Sequence, residues 1–522
     1  MNWKRPLALS TAALTLGTAL AACGNPTAAA PDPTPTPAAE VQSLSTTGST
    51  VKAPKYVFLF IGDGMSYPQI QSTSDFLGAL NDADYRQAQP SLDDNGGAIL
   101  DGPEYLNFMN FEAAGSAVTY DSNSFAPDSA STATSISTGY KTYSGSINVD
   151  ETGTISYETI AEQLHAQKGY SVGVITSVNL NHATPAAFYA HQASRNDYYD
   201  IGLELIDSGF EYFAGGGLLK PTGAEGDQAD LYALAEKAGY HVVKTQAEAE
   251  QVTGGPVVII DEHLADSDAM AYEIDRTDDM WALADYVEKG IEVLSQDKDG
   301  FFMMCEGGKI DWACHANDAA STIHDTQALA DAVQVAIDFA KEHADETLIL
   351  VTGDHETGGL TIGFAGTDYD TYLDLLESQK ISYAKFDSDY VSRYKEDKTS
   401  FEDVLKDVEA LFGLKPQGEE GDKLVLTDYE LEQLRAAYEK SVNGTAASQY
   451  EQEEYVLYGT YEPLSVTLTH IINNKSGISF TSYSHTGLPV AVLAHGVNAG
   501  QFNGYYDNTQ IYTKLAALVG VR

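Results

Sequence analysis

Residues 301–305, FFMMC, form an unbroken apolar run that stops at Glu306, turns through Gly307 and Gly308, and leads to Asp311 and His315. Short continuous apolar runs belong to strands buried on both faces, and such strands build parallel sheets with helices packed on each side. Four residues apart on a helix, Asp311 and His315 share a face. With Glu306 close by they suit a metal ion, although one such pair is more often a plain helix contact. Other stretches shift that balance. Residues 55–61, KYVFLFI, end in Gly62-Asp63-Gly64, and residues 347–352, TLILVT, end in Gly353-Asp354-His355. Residues 170–177, YSVGVITS, run into a segment holding Thr184 and Arg195. Open parallel sheets place ligands at the carboxyl ends of their strands. Adjacent side chains on an extended backbone diverge, so Asp354 and His355 can share an ion only where the chain turns.

Pro127 and Asp128 precede a run of small residues that reads as a helix stopped by Gly139. Ser129 then falls in the first turn, where unpaired N–H groups favour an anion. Taken alone, an Asp-Ser pair is usually a helix cap. Residues 256–260 read as a strand, 278–295 as a helix, and 318–341 as a long amphipathic helix with Leu329, Val333, Val335, Ala336 and Phe339 on its inner face. His485 precedes a strand over 488–493, and residues 508–519 close the chain as a helix. Alternating strands and helices predict an α/β fold: a doubly wound, mostly parallel central sheet, helices on both faces, and an inserted helical subdomain. The insert is assigned to 361–462, which is charged and tyrosine-rich, with capping boxes expected at Thr399 and Thr427. Nothing in it has the pattern of a site. The catalytic domain is assigned to 53–360 and 463–522.

The chain has 522 residues and a formal charge of -47, from 29 basic and 76 acidic residues. Such a surface repels nucleic acid and anionic lipid, so no nucleic-acid binding is expected, and an anionic substrate needs a local source of positive charge. Lys4 and Arg5 precede an apolar stretch too short to span a membrane, and Leu20-Ala21-Ala22-Cys23 follows as a lipobox. Residues 1–22 therefore read as a lipoprotein signal peptide, and 23–52 as a Pro/Ala/Thr-rich tether lipidated at Cys23. That implies export and anchoring at the cell envelope, on a periplasmic or extracellular face. Cys305 and Cys314 are open to two readings, a disulfide or a buried small side chain.

The segments GDGM, PDSASTAT, HATPAAFYAHQASR, EGGKIDWACH, TGDHETGG and SHTG, in this order, resemble the alkaline phosphatases. The resemblance implies a first zinc on Asp311, His315 and His485, and a second on Asp354, His355 and Asp63. It implies a magnesium held by Thr184 and Glu306, with Asp63 bridging. Ser129 matches the nucleophile, Arg195 the phosphate clamp, and Asp128 the acid that orients it. The chemistry agrees: imidazole and carboxylate sites suit zinc, an all-oxygen set suits magnesium, and paired zinc ions serve in-line displacement. The implied reaction is hydrolysis of phosphomonoesters through a phosphoserine, releasing inorganic phosphate, with a homodimer as the family's common assembly. His182 and Trp312 stand where some members carry Asp and Lys, positions that influence the third metal. The alternatives are a related metal-dependent phosphodiesterase and a non-catalytic lipid-anchored protein that holds phosphate or metal. A formylglycine sulfatase is excluded because the sequence after Ser129 lacks its Pro and Arg.

Overall fold

The structure, a computed structural model, describes residues 52–82, 100–444 and 452–522. The expected leader and all but the last residue of the tether lie outside them. Ten strands make the central sheet: β1 (Tyr56–Gly62), β2 (Ala113–Val118), β3 (Ser171–Thr176), β4 (Tyr212–Gly215), β5 (His241–Val243), β6 (Val257–Ile260), β7 (Phe301–Gly307), β8 (Thr347–Gly353), β9 (Val490–Gly496) and β10 (Gly504–Asp507). Their spatial order is β10-β2-β9-β8-β1-β7-β3-β4-β6-β5. Only β9 runs against its neighbours, β8 and β2.

The apolar runs explain this arrangement. In β1, Val57, Leu59 and Ile61 enter one core layer while Tyr56, Phe58 and Phe60 enter the other. β7 divides in the same way, with Phe302 and Met304 opposite Phe301, Met303 and Cys305. A strand apolar at every position needs cover on both faces, and helices provide it. Ala133 and Ile136 of helix Ser129–Thr138, with Ile511 and Leu515 of helix Thr509–Val519, close one layer. Leu283 and Val287 of helix Leu283–Leu294, with Leu329 and Val333 of helix Ala319–Glu342, close the other. Each large side chain so buried contributes roughly 1.5–3 kcal/mol.

Register sets the level of the strand ends. Gly62 of β1 lies opposite Gly307 of β7 and Gly353 of β8. Glu306, Asp63 and Asp354 therefore leave the sheet side by side.

Some expectations shift. The helix expected from 278 begins at Leu283. Thr427 makes its capping box with Glu430, but at the preceding helix Ser400, not Thr399, is the cap, accepting from the Asp403 N–H. β2 (AAGSAV) and the four-residue β4 escaped the sequence reading, because neither carries a run of bulky apolar residues. Cys305 and Cys314 are both free and buried. Cys305 packs in the core, while the Cys314 Sγ lies 3.5 Å from the Thr322 hydroxyl. Within 361–462, Phe386, Tyr394, Val404 and Phe412 share a core with Phe76 of helix Tyr67–Asn81 and Leu468 of helix Pro463–Ser476.

Candidate active site and metal centre

Two triads and a cluster of acids meet where β1, β7 and β8 end. In the first triad, Asp311 Oδ2 is 3.3 Å from His315 Nε2, Asp311 Oδ1 is 3.5 Å from His485 Nε2, and the two Nε2 atoms are 3.1 Å apart. His485 arrives from 170 residues downstream because residues His485–Thr486 pair antiparallel with Glu356–Thr357. In the second triad, His355 Nε2 is 3.4 Å from Asp63 Oδ1 and 3.3 Å from Asp354 Oδ2. The chain bends directly after β8, which lets Asp354 and His355 converge as expected. Gly64 closes the gap between the triads. At φ +70° a Cβ there would stand 2.9 Å from the Asp311 Cα, so a side chain is strained and crowded at once.

Hydrogen bonds assign the imidazole tautomers. Nδ1–H of His315 donates to the Tyr483 carbonyl at 2.6 Å, and Nδ1–H of His485 to the Pro127 carbonyl at 2.6 Å. The Thr357 hydroxyl donates to Asp311 Oδ1 at 2.5 Å and so accepts from His355 Nδ1–H at 3.2 Å. In their neutral form all three rings therefore turn an Nε2 lone pair into the site. Two lone pairs 3.1 Å apart in the first triad, and one set 3.3–3.4 Å from two carboxylate oxygens in the second, repel unless a cation lies between them, so both triads have the form of metal sites.

The third cluster adds Glu306 to Asp63. The Thr184 hydroxyl donates to Asp63 Oδ2 at 3.4 Å, and Thr176 donates to Glu306 Oε2. Asp63 Oδ1 and Glu306 Oε1 are buried without a hydrogen-bond partner. His182 lies here too, with Nδ1 4.0 Å from Glu306 Oε1. Its Nε2 accepts from Arg195 Nη2 at 3.0 Å, so the ring hydrogen sits on Nδ1 and no lone pair faces the acids.

Ser129 opens helix Ser129–Thr138, which Asp128 caps by accepting from the Ser131 N–H at 3.1 Å. The Ser129 Oγ stands 3.2 Å from His355 Nε2. Arg195 Nη1 donates to Asp128 Oδ2 at 2.9 Å. Burial, reinforced by neighbouring carboxylates, pushes Asp63 well above the usual range, Asp354 up to about 8 and Glu306 up to about 7. Acids crowded in this way stay ionised together only around cations. Burial, with Arg195 beside it, lowers His182 to about 3, so that imidazole is neutral.

The candidate site residues Asp63, Asp128, Ser129, Thr184, Arg195, Glu306, Asp311, His315, Asp354, His355 and His485 all lie at or beside this centre. The cleft above Ser129 is also lined by Asp266, Ser267, Trp312, Tyr383 and Tyr461. The last two come from the segment in which no site was expected, and no spacing in the sequence connects them with the motifs. Thr176, Thr357 and Glu356 were missed as well. Thr176 and Thr357 hold Glu306, Asp311 and His355, Glu356 holds Thr486 beside His485, and only side-chain contacts disclose them.

A mostly parallel sheet with clustered carboxylates and imidazoles at its strand ends, gathered around a serine on a helix N-terminus, defines an α/β protein with candidate metal sites beside a nucleophile. The alkaline phosphatase family model matches residues 54–521. Alkaline phosphatase 3 of Bacillus subtilis is 30% identical over 465 residues, spanning 88% of this chain and 87% of its own. The Escherichia coli alkaline phosphatase is 28% identical over 350 residues, 58% of this chain and 70% of its own. Among solved structures, the cold-active alkaline phosphatase of a psychrophilic Shewanella aligns with a TM-score of 0.69 at 28% identity, covering 89% of this chain and 99% of that one. The chain belongs to the alkaline phosphatase family and is a phosphomonoesterase.

Proposed function

We propose that this phosphomonoesterase works through a phosphoserine at Ser129, with two zinc ions and one magnesium. Asp311, His315 and His485 would hold the first zinc, and Asp63, Asp354 and His355 the second. Their donor sets are mixed carboxylate and imidazole, with each Nε2 lone pair already aimed inward. Asp63, Glu306 and Thr184 offer oxygen alone, which suits magnesium, and the hydrogen on His182 Nδ1 keeps that ring out of the set. When bound, these ions supply positive charge to the entering and leaving oxygens of an in-line displacement.

The residues do the rest. The observation that carries the reading is Ser129 Oγ, placed at a helix N-terminus 3.2 Å from His355 Nε2 and within the same cleft as Arg195. The first-turn N–H groups favour an anionic oxygen there. Arg195 is held from two sides, by Asp128 and by His182, and its planar fork suits the non-bridging phosphoryl oxygens. Ser129 Oγ gives up its proton to water and bonds to phosphorus as the P–O bond to the alcohol breaks, and the departing alkoxide takes a proton from water. Water then displaces Ser129 in a second in-line step, releasing inorganic phosphate. Export, lipidation at Cys23 and a homodimeric assembly complete the proposal. The first two rest on the composition of residues 1–52, and no helix among the described residues is long and apolar enough to cross a membrane.

The test is hydrolysis of p-nitrophenyl phosphate and its bis ester against pH, before and after chelation. Monoester turnover should rise into the alkaline range, vanish with chelator and return with zinc and magnesium. Ser129→Ala should lower it by at least about a thousandfold. Retention of most activity by that variant, with no phosphoserine trapped in the parent, would refute the Ser129 mechanism, and preference for the diester would refute the substrate reading.

A further inference from the structure

Ser129, Arg195 and the first triad line one part of the cleft, which leaves its other wall to the remainder of the substrate. That wall is Trp312, Tyr383 and Tyr461, with Asp266 and Ser267 at the rim. It is rigidly built. The Lys309 ammonium is fully buried, lies 4.0 Å from the centroid of the Tyr272 ring and 4.6 Å from that of Trp312, and pairs with Asp266 at 2.9 Å. Tyr272 donates its hydroxyl to the Tyr383 hydroxyl at 3.2 Å, and the Tyr383 N–H is held by Asp318 Oδ2 at 3.0 Å. The Tyr461 ring meets Tyr383 edge-on, 5.6 Å between centroids at 85°. Aromatic walls fixed in this way attract flat rings by stacking and edge contacts, and they are ordered before the ligand arrives.

Charge is equally one-sided. Arg195 is the only lysine or arginine among the described residues lining the cleft, and it belongs to the phosphoryl end. The rim carries the Asp266 carboxylate, whose side chain is 42% exposed while its partner Lys309 lies buried behind it.

We propose that Trp312, Tyr383 and Tyr461 form a leaving-group subsite that selects phosphomonoesters of flat, uncharged alcohols, with Asp266 at the rim disfavouring a second anionic group. The proposal rests on the phosphomonoesterase reading and adds the part of the substrate that reading leaves open. Two residues of the wall come from 361–462, so the insert takes part in recognition.

Benzyl and ethyl phosphate release alkoxides of similar basicity and differ in the ring, so the ratio of their kcat/KM reports the subsite. On the zinc- and magnesium-loaded full chain the native ratio should favour benzyl phosphate. Tyr461→Leu, which stays apolar and removes the ring, should lower the ratio about fivefold to tenfold, whereas Tyr461→Phe should hold it within twofold. 4-Carboxybenzyl phosphate should be turned over at least about threefold less efficiently than benzyl phosphate. A Tyr461→Leu ratio within twofold of native would overturn the aromatic subsite, and equal use of the carboxylated ester would overturn the charge selection. Failure of the native protein on all three esters would instead overturn the phosphomonoesterase reading.

Discussion

His191 lies on the segment that carries both Thr184 and Arg195, and it is clamped by two acids: Nδ1 is 3.3 Å from Glu204 and Nε2 is 3.4 Å from Glu162. Burial works against the charged ring, yet the two carboxylates outweigh it and raise His191 from 6.5 to about 10. A raised folded-state pKa stabilises fully below the unfolded value and is lost as pH climbs through the folded one. The stabilisation is therefore complete below about pH 6.5 and declines between pH 6.5 and 10. The shift sets a ceiling of about 5 kcal/mol, and partial exposure leaves about 1–2 kcal/mol. Thermal unfolding followed between pH 6 and 10 should show His191→Gln less stable than native at pH 6.5 and nearly equal to it at pH 10. Parallel curves would remove this ion pair from the account.

At the scale of elements, the paired segments Glu356–Thr357 and His485–Thr486 bring His485 to the site. Their anchor is the buried Glu356 carboxylate. It accepts from Gln69 Nε2 at 2.8 Å, from the N–H groups of Leu360 and Gly359 at 3.1 Å each, and from Thr486. One carboxylate thus joins helix Tyr67–Asn81, the turn after β8 and the strand that presents His485. Each carboxylate oxygen accepts from two of these donors, so Glu356→Gln would put an N–H pair where two of the four point. Supports behind metal ligands typically matter by 10–100-fold in affinity. The zinc concentration that half-restores activity to chelated Glu356→Gln protein should rise by about that factor, with the native turnover approached at saturation. Unchanged zinc dependence would show that the pairing holds without Glu356.

For the whole molecule the governing quantity is charge. At -47 the chain repels itself, and the sheet concentrates Asp63, Asp354, Glu306 and Asp311 at the ends of three adjacent strands. Ions bound there relieve that repulsion in the folded state alone, so they stabilise by mass action, about 2.7 kcal/mol at a hundred times the dissociation constant. Chelation should lower the unfolding temperature by several degrees, and zinc with magnesium should restore it. An unfolding temperature indifferent to chelator would mean that the acids are reconciled by protonation instead.

The apolar runs of β1, β7 and β8 can be read as strands directly, because burial on both faces leaves an unbroken apolar string that few other structures tolerate. The polar residues closing each run can be read as ligands for the same reason: each follows the point where the sheet stops. Asp311 and His315 share a face through helical periodicity alone. Contacts between distant segments leave no such trace. β2 is a run of small residues that becomes a strand because β9 and β10 flank it. The tautomers of His315 and His485 depend on the carbonyls of Tyr483 and Pro127, and the cleft wall on Tyr383 and Tyr461 packing beside Trp312. Local periodicity writes itself into the order of residues, whereas a hydrogen bond or ring contact between segments hundreds of residues apart exists only once the chain has packed.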